Sequence, residues 1–355
     1  MAILNSEIIT DTEYTSAPGR RRQSRKKRGG GFLKFLIPVI IVLAVFAGVW
    51  FIQHSGLLLK NRYDVSVSSG QLLRDQAPDT SLKTFGADLS VVARNDDADG
   101  TLQAHSVLLC REGDREAVYA KHALERMNPA STTKVMTCLL ALENADLTEE
   151  WTAGPEIYVS DKDASMAGIK EGDRLTAAQV VYGLMLRSGA DAANMIALHV
   201  GGSEDGFVEM MNRKAEEIGC AGTHFTNTHG LTDTDHYTTA YDLYLILREA
   251  MKDPRFREIA GCVEYEAAYL DGTGQPKNQK WKNTNYFMLG RAPLPEGVTI
   301  AASKTGTTLA AGNCLALVTE NPAGELFYSV TLKSPKRDIL YQDVAALLEK
   351  TIEQH

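Results

Sequence analysis

At 355 residues the chain is long enough for two domains, yet its first eighty or so residues do not read as globular core. The net charge of −8 hides a split: residues 1–34 carry eight basic and three acidic side chains, so this arm is +5 and residues 35–355 are −13. Such an acidic body gives no expectation of a nucleic-acid partner. Five cysteines without a Cys-x-x-Cys rule out complete pairing within one chain and read as buried free thiols.

From Phe35 to Ile52 there is no charged residue, and Leu, Ile, Val, Phe and Ala dominate. At about 1.5 Å per residue such a run reaches across a bilayer when flanking residues extend it. Basic residues before it put residues 1–34 in the cytoplasm and the remainder outside. The following Trp50-Phe51-Ile52-Gln53-His54 has no Ala-x-Ala-like cleavage pattern, so residues 35–54 are expected to be an uncleaved lipid-bilayer anchor. Residues 55–83 are polar and aperiodic and read as an extracellular linker, leaving 84–355 as the folded domain.

Within that domain, Ser106–Cys110 and Ala117–Ala123 predict a hairpin turning at Glu112-Gly113-Asp114-Arg115. Asn128-Pro129 predicts a helix start, and Val135, Cys138, Leu139 and Leu142 form the apolar stripe of the helix that follows. Thr176-Ala177-Ala178-Gln179 is a capping box opening a helix to Leu186. Ser188-Gly189-Ala190 interrupts it, Asp191 is expected to cap the next helix, and Gly201-Gly202 ends that one. Further helices are expected from Glu204 to Ile218 and from Thr239–Asp242 to before Pro254, making the middle all helical. Val298–Ser303, Asn313–Thr319 and Leu326–Leu332 read as strands, the last two flanking Asn321-Pro322-Ala323-Gly324, and Ile339–Ile352 as an amphipathic helix. Strands at both ends of a helical middle predict an α+β fold. Its antiparallel five-stranded sheet has flanking helices and an all-helical insert, with a cleft between insert and sheet.

Three short elements converge on that cleft. Ser131-Thr132-Thr133-Lys134 puts a hydroxyl and an amine one helical turn apart. Ser188-Gly189 lies at a helix junction, and Lys304-Thr305-Gly306-Thr307 follows a strand. A serine hydroxyl is a poor nucleophile until a base takes its proton, and Lys134 can do so only as a neutral amine. Burial beside a second cation, Lys304, favours that form. The backbone N–H groups of Ser131 and Thr307 are candidate oxyanion donors, and Gly306 allows close approach to the strand. Thr305, Thr307 and Arg337 are candidates to hold a substrate carboxylate. Taken singly, each element also fits an ordinary cap or strand end; their order and setting together carry the reading. His224, His229, Asp233, Asp235 and His236 match no zinc spacing and fit a polar loop as well, so no metal or cofactor is expected.

From about Ala104 to Leu348 the chain resembles the D-alanyl-D-alanine carboxypeptidases, low-molecular-mass penicillin-binding proteins of the serine-peptidase class. The resemblance rests on Pro129-Ala130-Ser131-Thr132-Thr133-Lys134, Ser188-Gly189-x-Asp191-Ala192-Ala193, Thr228-His229-Gly230-Leu231, His236-Tyr237-Thr238-Thr239-Ala240-Tyr241-Asp242 and Lys304-Thr305-Gly306. It implies a penicillin-binding protein/β-lactamase-like fold, Ser131 as acylated nucleophile, Lys134 as its base and Ser188 as proton relay. Lys304, Thr305, Gly306 and Thr307 would line the strand side, and Arg337 would receive the terminal carboxylate. It also implies peptidoglycan stem peptides ending in D-Ala-D-Ala and β-lactams as partners, for a bacterial enzyme held at the cell membrane with its catalytic domain outside. Where relatives have asparagine as third residue of the second element this chain has Ala190. The missing amide predicts a loss of roughly several-fold to tenfold in rate, about one hydrogen bond. Two other functions fit less well. A β-lactamase would need a deacylating carboxylate, and no Glu-x-x-x-Asn element lies between Ser188 and Lys304. A wall-peptide or β-lactam sensor would bind without turnover, and release of D-Ala separates it from an enzyme.

Overall fold

The computed structural model describes residues 89–92 and 100–352, all within the compact unit Val65–His355. The basic arm, the 35–54 segment and the 55–83 linker lie outside the described residues. Among the described residues no helix is long and apolar enough to cross a membrane.

Five strands make the main sheet: β1 (Ser106–Arg111), β2 (Tyr119–Lys121), β7 (Thr299–Thr308), β8 (Gly312–Glu320) and β9 (Leu326–Ser334). Their order is β2-β1-β9-β8-β7, and every neighbouring pair is antiparallel. The first hairpin and the last three strands thus meet through β1 and β9, with Ser106 opposite Leu332 and Arg111 opposite Phe327. Period-two alternation divides each strand between two faces. On one face Leu108, Cys110, Ala316, Val318 and Val330 join the large central core. On the other, Leu315 and Leu317 pack with Leu340, Tyr341, Val344 and Leu348 of the last helix, α7 (Arg337–Glu349). The result is a sheet between two helical layers.

The helical side contains α1 (Lys134–Asn144), α2 (Ala177–Leu186), α3 (Ala190–Gly201), α4 (Glu204–Ile218), α5 (Ala240–Ala250) and α6 (Pro254–Ala260). Every residue of α1 from Lys134 to Leu142 is buried, so the expected stripe is in fact a helix covered on all sides. Thr176 and Gln179 close a reciprocal capping box at the start of α2. Gly202 and Gly219, at φ 74° and 92°, end α3 and α4 in the left-handed conformation.

Three expectations are corrected. The middle is not all helical: β3 (Glu150–Thr152), β4 (Arg174–Thr176), β5 (Glu264–Leu270) and β6 (Pro276–Lys282) form a second, four-stranded antiparallel sheet. Two of these strands have three residues, and only Trp281 of β6 is buried, so no apolar alternation reveals them. Asn128-Pro129 does not cap α1. A 3-10 turn, Ala130–Thr133, intervenes, and no side chain caps it. Asp191 is not the cap of α3 either, because Gly189 holds that position. The five cysteines are free thiols, four of them buried, as expected.

Candidate active site

Ser131 sits in the 3-10 turn directly ahead of α1, and the turn is held in an unusual shape. Ala130 has φ 48°, in a region an L-residue enters only under constraint. Gly230 makes room for the turn: a Cβ there would lie 1.9 Å from the Ala130 carbonyl oxygen. Behind the turn, Thr133 Oγ1 donates to that same carbonyl (2.9 Å) and faces His236 Nε2 at 2.8 Å. His236 Nδ1 accepts the Thr226 backbone N–H at 3.0 Å, which fixes the proton on Nε2. Burial pushes this imidazole down to about 4, keeping it neutral as that arrangement requires.

Two serine–lysine pairs face one another across the cleft. Lys134 Nζ lies 3.0 Å from Ser131 Oγ and donates to the His229 carbonyl at 2.5 Å. Lys304 Nζ lies 2.9 Å from Ser188 Oγ and donates to the Thr305 carbonyl at 2.9 Å. Both lysines are almost wholly buried, at 2% and 1% exposure, and neither has an ion pair among the described residues. Burial therefore disfavours both cations. Desolvation brings Lys304 down to about 7. Lys134 falls well below the ordinary lysine range through burial first and the nearby Lys304 second, only partly offset by Asp191.

Ser188, at φ 57°, is a second strained residue, at the break between α2 and α3. Its support comes from Asp191, whose carboxylate accepts the backbone N–H groups of Ala167, Gly168 and Ile169 at 2.8, 2.8 and 3.1 Å. That network ties the 165–169 loop to the start of α3, while Ala190 N–H donates to the Ser165 carbonyl (2.8 Å). Asn194 cannot stand in for the amide missing at Ala190, since it bonds the Glu156 carbonyl and the Thr228 hydroxyl instead. The His229 carbonyl is what holds the Lys134 amine.

Opposite the serines, Lys304, Thr305, Gly306 and Thr307 lie inside β7 rather than beyond its end. Among the described residues β7 is the edge of the main sheet, paired with β8 alone and carrying no strand on the side toward Ser131. A Cβ on Gly306 would stand 3.0 Å from both Ser131 N and Pro129 O, so a side chain there would cover the Ser131 N–H. Thr305 Oγ1 meets Thr284 Oγ1 at 2.5 Å, and Thr307 Oγ1 faces Asn313 Oδ1 at 3.4 Å. Arg337, first residue of α7, donates to the Tyr286 hydroxyl at 3.2 Å. A cleft of about 370 Å³ is lined by Ser131, Ser188, Thr305, Gly306, Thr307 and Arg337, with the two lysines beneath.

All eight residues singled out in the sequence thus meet at one cleft. Ser165, Thr284, Tyr286, Arg291 and the His229 carbonyl also belong to it and were not found. Only the Thr228-His229-Gly230-Leu231 string pointed toward any of them. The polar loop weighed as a metal site is otherwise engaged: His236 supports Thr133, His229 Nδ1 accepts from Leu231 N–H, and His224 Nδ1 contacts the Asp235 carbonyl.

Residues 92–335 match the peptidase S11 family, described as D-alanyl-D-alanine carboxypeptidase. A D-alanyl-D-alanine carboxypeptidase of Bacillus subtilis (strain 168), DacF, is 31% identical over 250 residues, covering 69% of this chain and 59% of the relative. One from Mycobacterium tuberculosis, DacB2, is 40% identical over 149 residues, covering 41% and 50%. The chain therefore spans about half to two thirds of the length of such relatives. The crystal structure of the Streptomyces K15 DD-transpeptidase superposes with a TM-score of 0.66 at 29% identity, over 71% of this chain and 98% of that one. A D-alanyl-D-alanine carboxypeptidase structure from Mycobacterium tuberculosis H37Rv gives 0.63 at 26% identity, over 75% and 95%. With the fold, the match along most of the described chain and the paired serines and lysines in agreement, the chain belongs to the D-alanyl-D-alanine carboxypeptidase family of serine peptidases.

Proposed function

We propose that this protein removes the terminal D-alanine from peptidoglycan stem peptides through an acyl-enzyme on Ser131. The observation that carries the reading is the pair of serine–lysine contacts facing one cleft beside a free strand edge.

The substrate peptide lies along β7 as an added strand, its backbone bonded to the unpaired edge. Neutral Lys134 donates one hydrogen to the His229 carbonyl, which turns its lone pair toward the Ser131 hydroxyl and lets it take that proton. Ser131 Oγ attacks the carbonyl of the penultimate D-Ala, and the oxyanion is held by the N–H groups of Ser131 and Thr307. The C–N bond then breaks while a proton reaches the leaving amine through Ser188, next to Lys304. Arg337, with the Thr305 and Thr307 hydroxyls, holds the terminal carboxylate. Water then releases the acyl group with Lys134 again as base. β-Lactams acylate the same serine.

Residues 35–54 anchor the enzyme in the cell membrane, with 1–34 cytoplasmic and the catalytic unit outside. The apolar, uncharged run next to a basic arm supports this. The activity is tested by incubating the full-length protein with an N-acylated peptide ending in D-Ala-D-Ala. Steady-state release of D-Ala is expected, lost in Ser131→Ala. No release by the wild-type protein contradicts the reading.

A further inference from the structure

The amine of Lys134 depends on a loop that lies outside the three short sequence elements. Two successive carbonyls of that loop point at α1. The Thr228 carbonyl accepts the Thr137 hydroxyl at 2.6 Å, and the His229 carbonyl accepts the Lys134 amine at 2.5 Å. The His229 carbonyl oxygen also stands 3.5 Å from Ser131 Oγ. Moved closer to Ser131, it would compete with the amine for the hydroxyl proton; moved away, it would leave the amine free to turn its lone pair aside. The Asn227 side chain holds this carbonyl in place. Its Oδ1 accepts the backbone N–H groups of His229 and Gly230 at 3.3 and 2.7 Å, and its Nδ2 donates to the Leu231 carbonyl at 3.0 Å. These partners fix the orientation of the amide, since two N–H donors need the oxygen and a carbonyl needs the amino group. Among the described residues the two N–H groups have no other acceptor. The bond to Gly230 matters twice, because that glycine lies against the Ala130 carbonyl beside the nucleophile.

We propose that Asn227 is a positioning residue for acylation: by closing the 227–231 turn it holds the His229 carbonyl where the Lys134 lone pair faces the Ser131 hydroxyl. The proposal rests on the peptidase reading, with Ser131 and Lys134 in the roles given above. Asn227 does not line the cleft, so it acts through the turn and not on the substrate. Misplacing a reacting group by about 1 Å costs on the order of a hundredfold in rate, so a small shift of this carbonyl is enough to be measured. The charged and titratable groups facing the amine are Lys304 of β7, Asp191 of α3, and the His229 and His236 imidazoles, which burial keeps neutral. The bond to the His229 carbonyl favours the ammonium form, and a carboxylate in place of the Asn227 amide would favour it further.

Asn227→Leu and Asn227→Asp in the full-length protein separate positioning from mere support. Single-turnover labelling with a tagged penicillin from pH 5 to 10 gives the acylation rate constant and the dissociation constant of the complex that precedes it. In Asn227→Leu the rate constant is expected to fall by about thirtyfold to a hundredfold, with the dissociation constant changed by about threefold or less. Asn227→Asp keeps an acceptor for both N–H groups. It is expected to stay within about tenfold of wild type at pH 9 while the acid limb of its rate profile moves to higher pH. Wild-type acylation in Asn227→Leu overturns the proposal. So do equal losses in both variants with the acid limb unmoved, which is what an asparagine that only stabilises the fold gives. Should Asn227→Leu fail to fold, the acid limb of Asn227→Asp decides alone, by moving up or by staying in place. A wild type that takes no label removes the reading of Ser131 and Lys134 itself, and the role of Asn227 with it.

Discussion

The two serine–lysine pairs have nearly equal contact distances, 3.0 and 2.9 Å, and different origins. Ser131 and Lys134 are three residues apart, so one turn of chain brings them together. Ser188 and Lys304 are 116 residues apart and meet only when the edge strand docks on the helical side. The first pair is a local property supported from behind, by Gly230, Thr133 and His236. The second is a property of the whole fold. A cleft made this way keeps its nucleophile ready in one element and completes its proton path only when both halves are in register.

The comparison predicts graded losses. Ser131→Ala or Lys134→Ala should lower acylation by about 10⁴-fold or more, because each removes one half of the attacking pair. Stopped-flow measurement of penicillin binding gives the rate. Ser188→Ala should cost less, about 10²- to 10³-fold, as expected when a proton relay is lost and the nucleophile kept. Equal losses at the two serines would erase the distinction between the pairs.

Supports come next in size. Gly230→Ala places a methyl on the Ala130 carbonyl and an L-residue at φ 84°, so it should destabilise by about 2–4 kcal/mol in urea titration, with activity lost in parallel. The buried lysines predict a pH dependence of definite sign. Lys304 titrates near 7 when folded and near 10.5 when unfolded, so between these values the unfolded chain binds more protons. Stability is lowest below pH 7, where the buried cation is present, and this contribution rises by at most about 1.4 kcal/mol per pH unit above it. Thermal unfolding from pH 7 to 9 should show that rise in wild type and a smaller one in Lys304→Met. Activity should fall in acid as Lys134 gains a proton and ceases to be a base.

Much of this site was legible because its parts are local. Capping at Thr176, the stops at Gly202 and Gly219, and the spacing of Ser131 and Lys134 are written within a few residues each. The second sheet was hidden because β3 and β4 are three residues long and β6 is largely polar. The turn at Ala130 was hidden for another reason. The Ala130 carbonyl packs where only a glycine at 230, a hundred residues on, leaves room for it, and no local pattern announces the turn's φ of 48°. Thr284 and Arg291 were missed likewise, since polar loop residues acquire meaning only from what the fold brings beside them.

The smallest effect concerns Ala190. From sequence alone its missing amide implied a loss of roughly several-fold to tenfold. Lys134 already has the His229 carbonyl as acceptor, which leaves less for an asparagine to add. Ala190→Asn should therefore change D-Ala release by about threefold or less, within one weak hydrogen bond. A tenfold gain would mean that the carbonyl does not orient the amine.

The assignment of Ser131 over Ser188 as nucleophile is tested most directly by locating a covalent adduct. The full-length protein is incubated with a tagged penicillin, digested, and the adduct mapped by mass spectrometry. One adduct on the peptide containing Ser131 is expected, absent from Ser131→Ala and present, though formed slowly, in Ser188→Ala. An adduct on Ser188, or undiminished labelling of Ser131→Ala, contradicts the account.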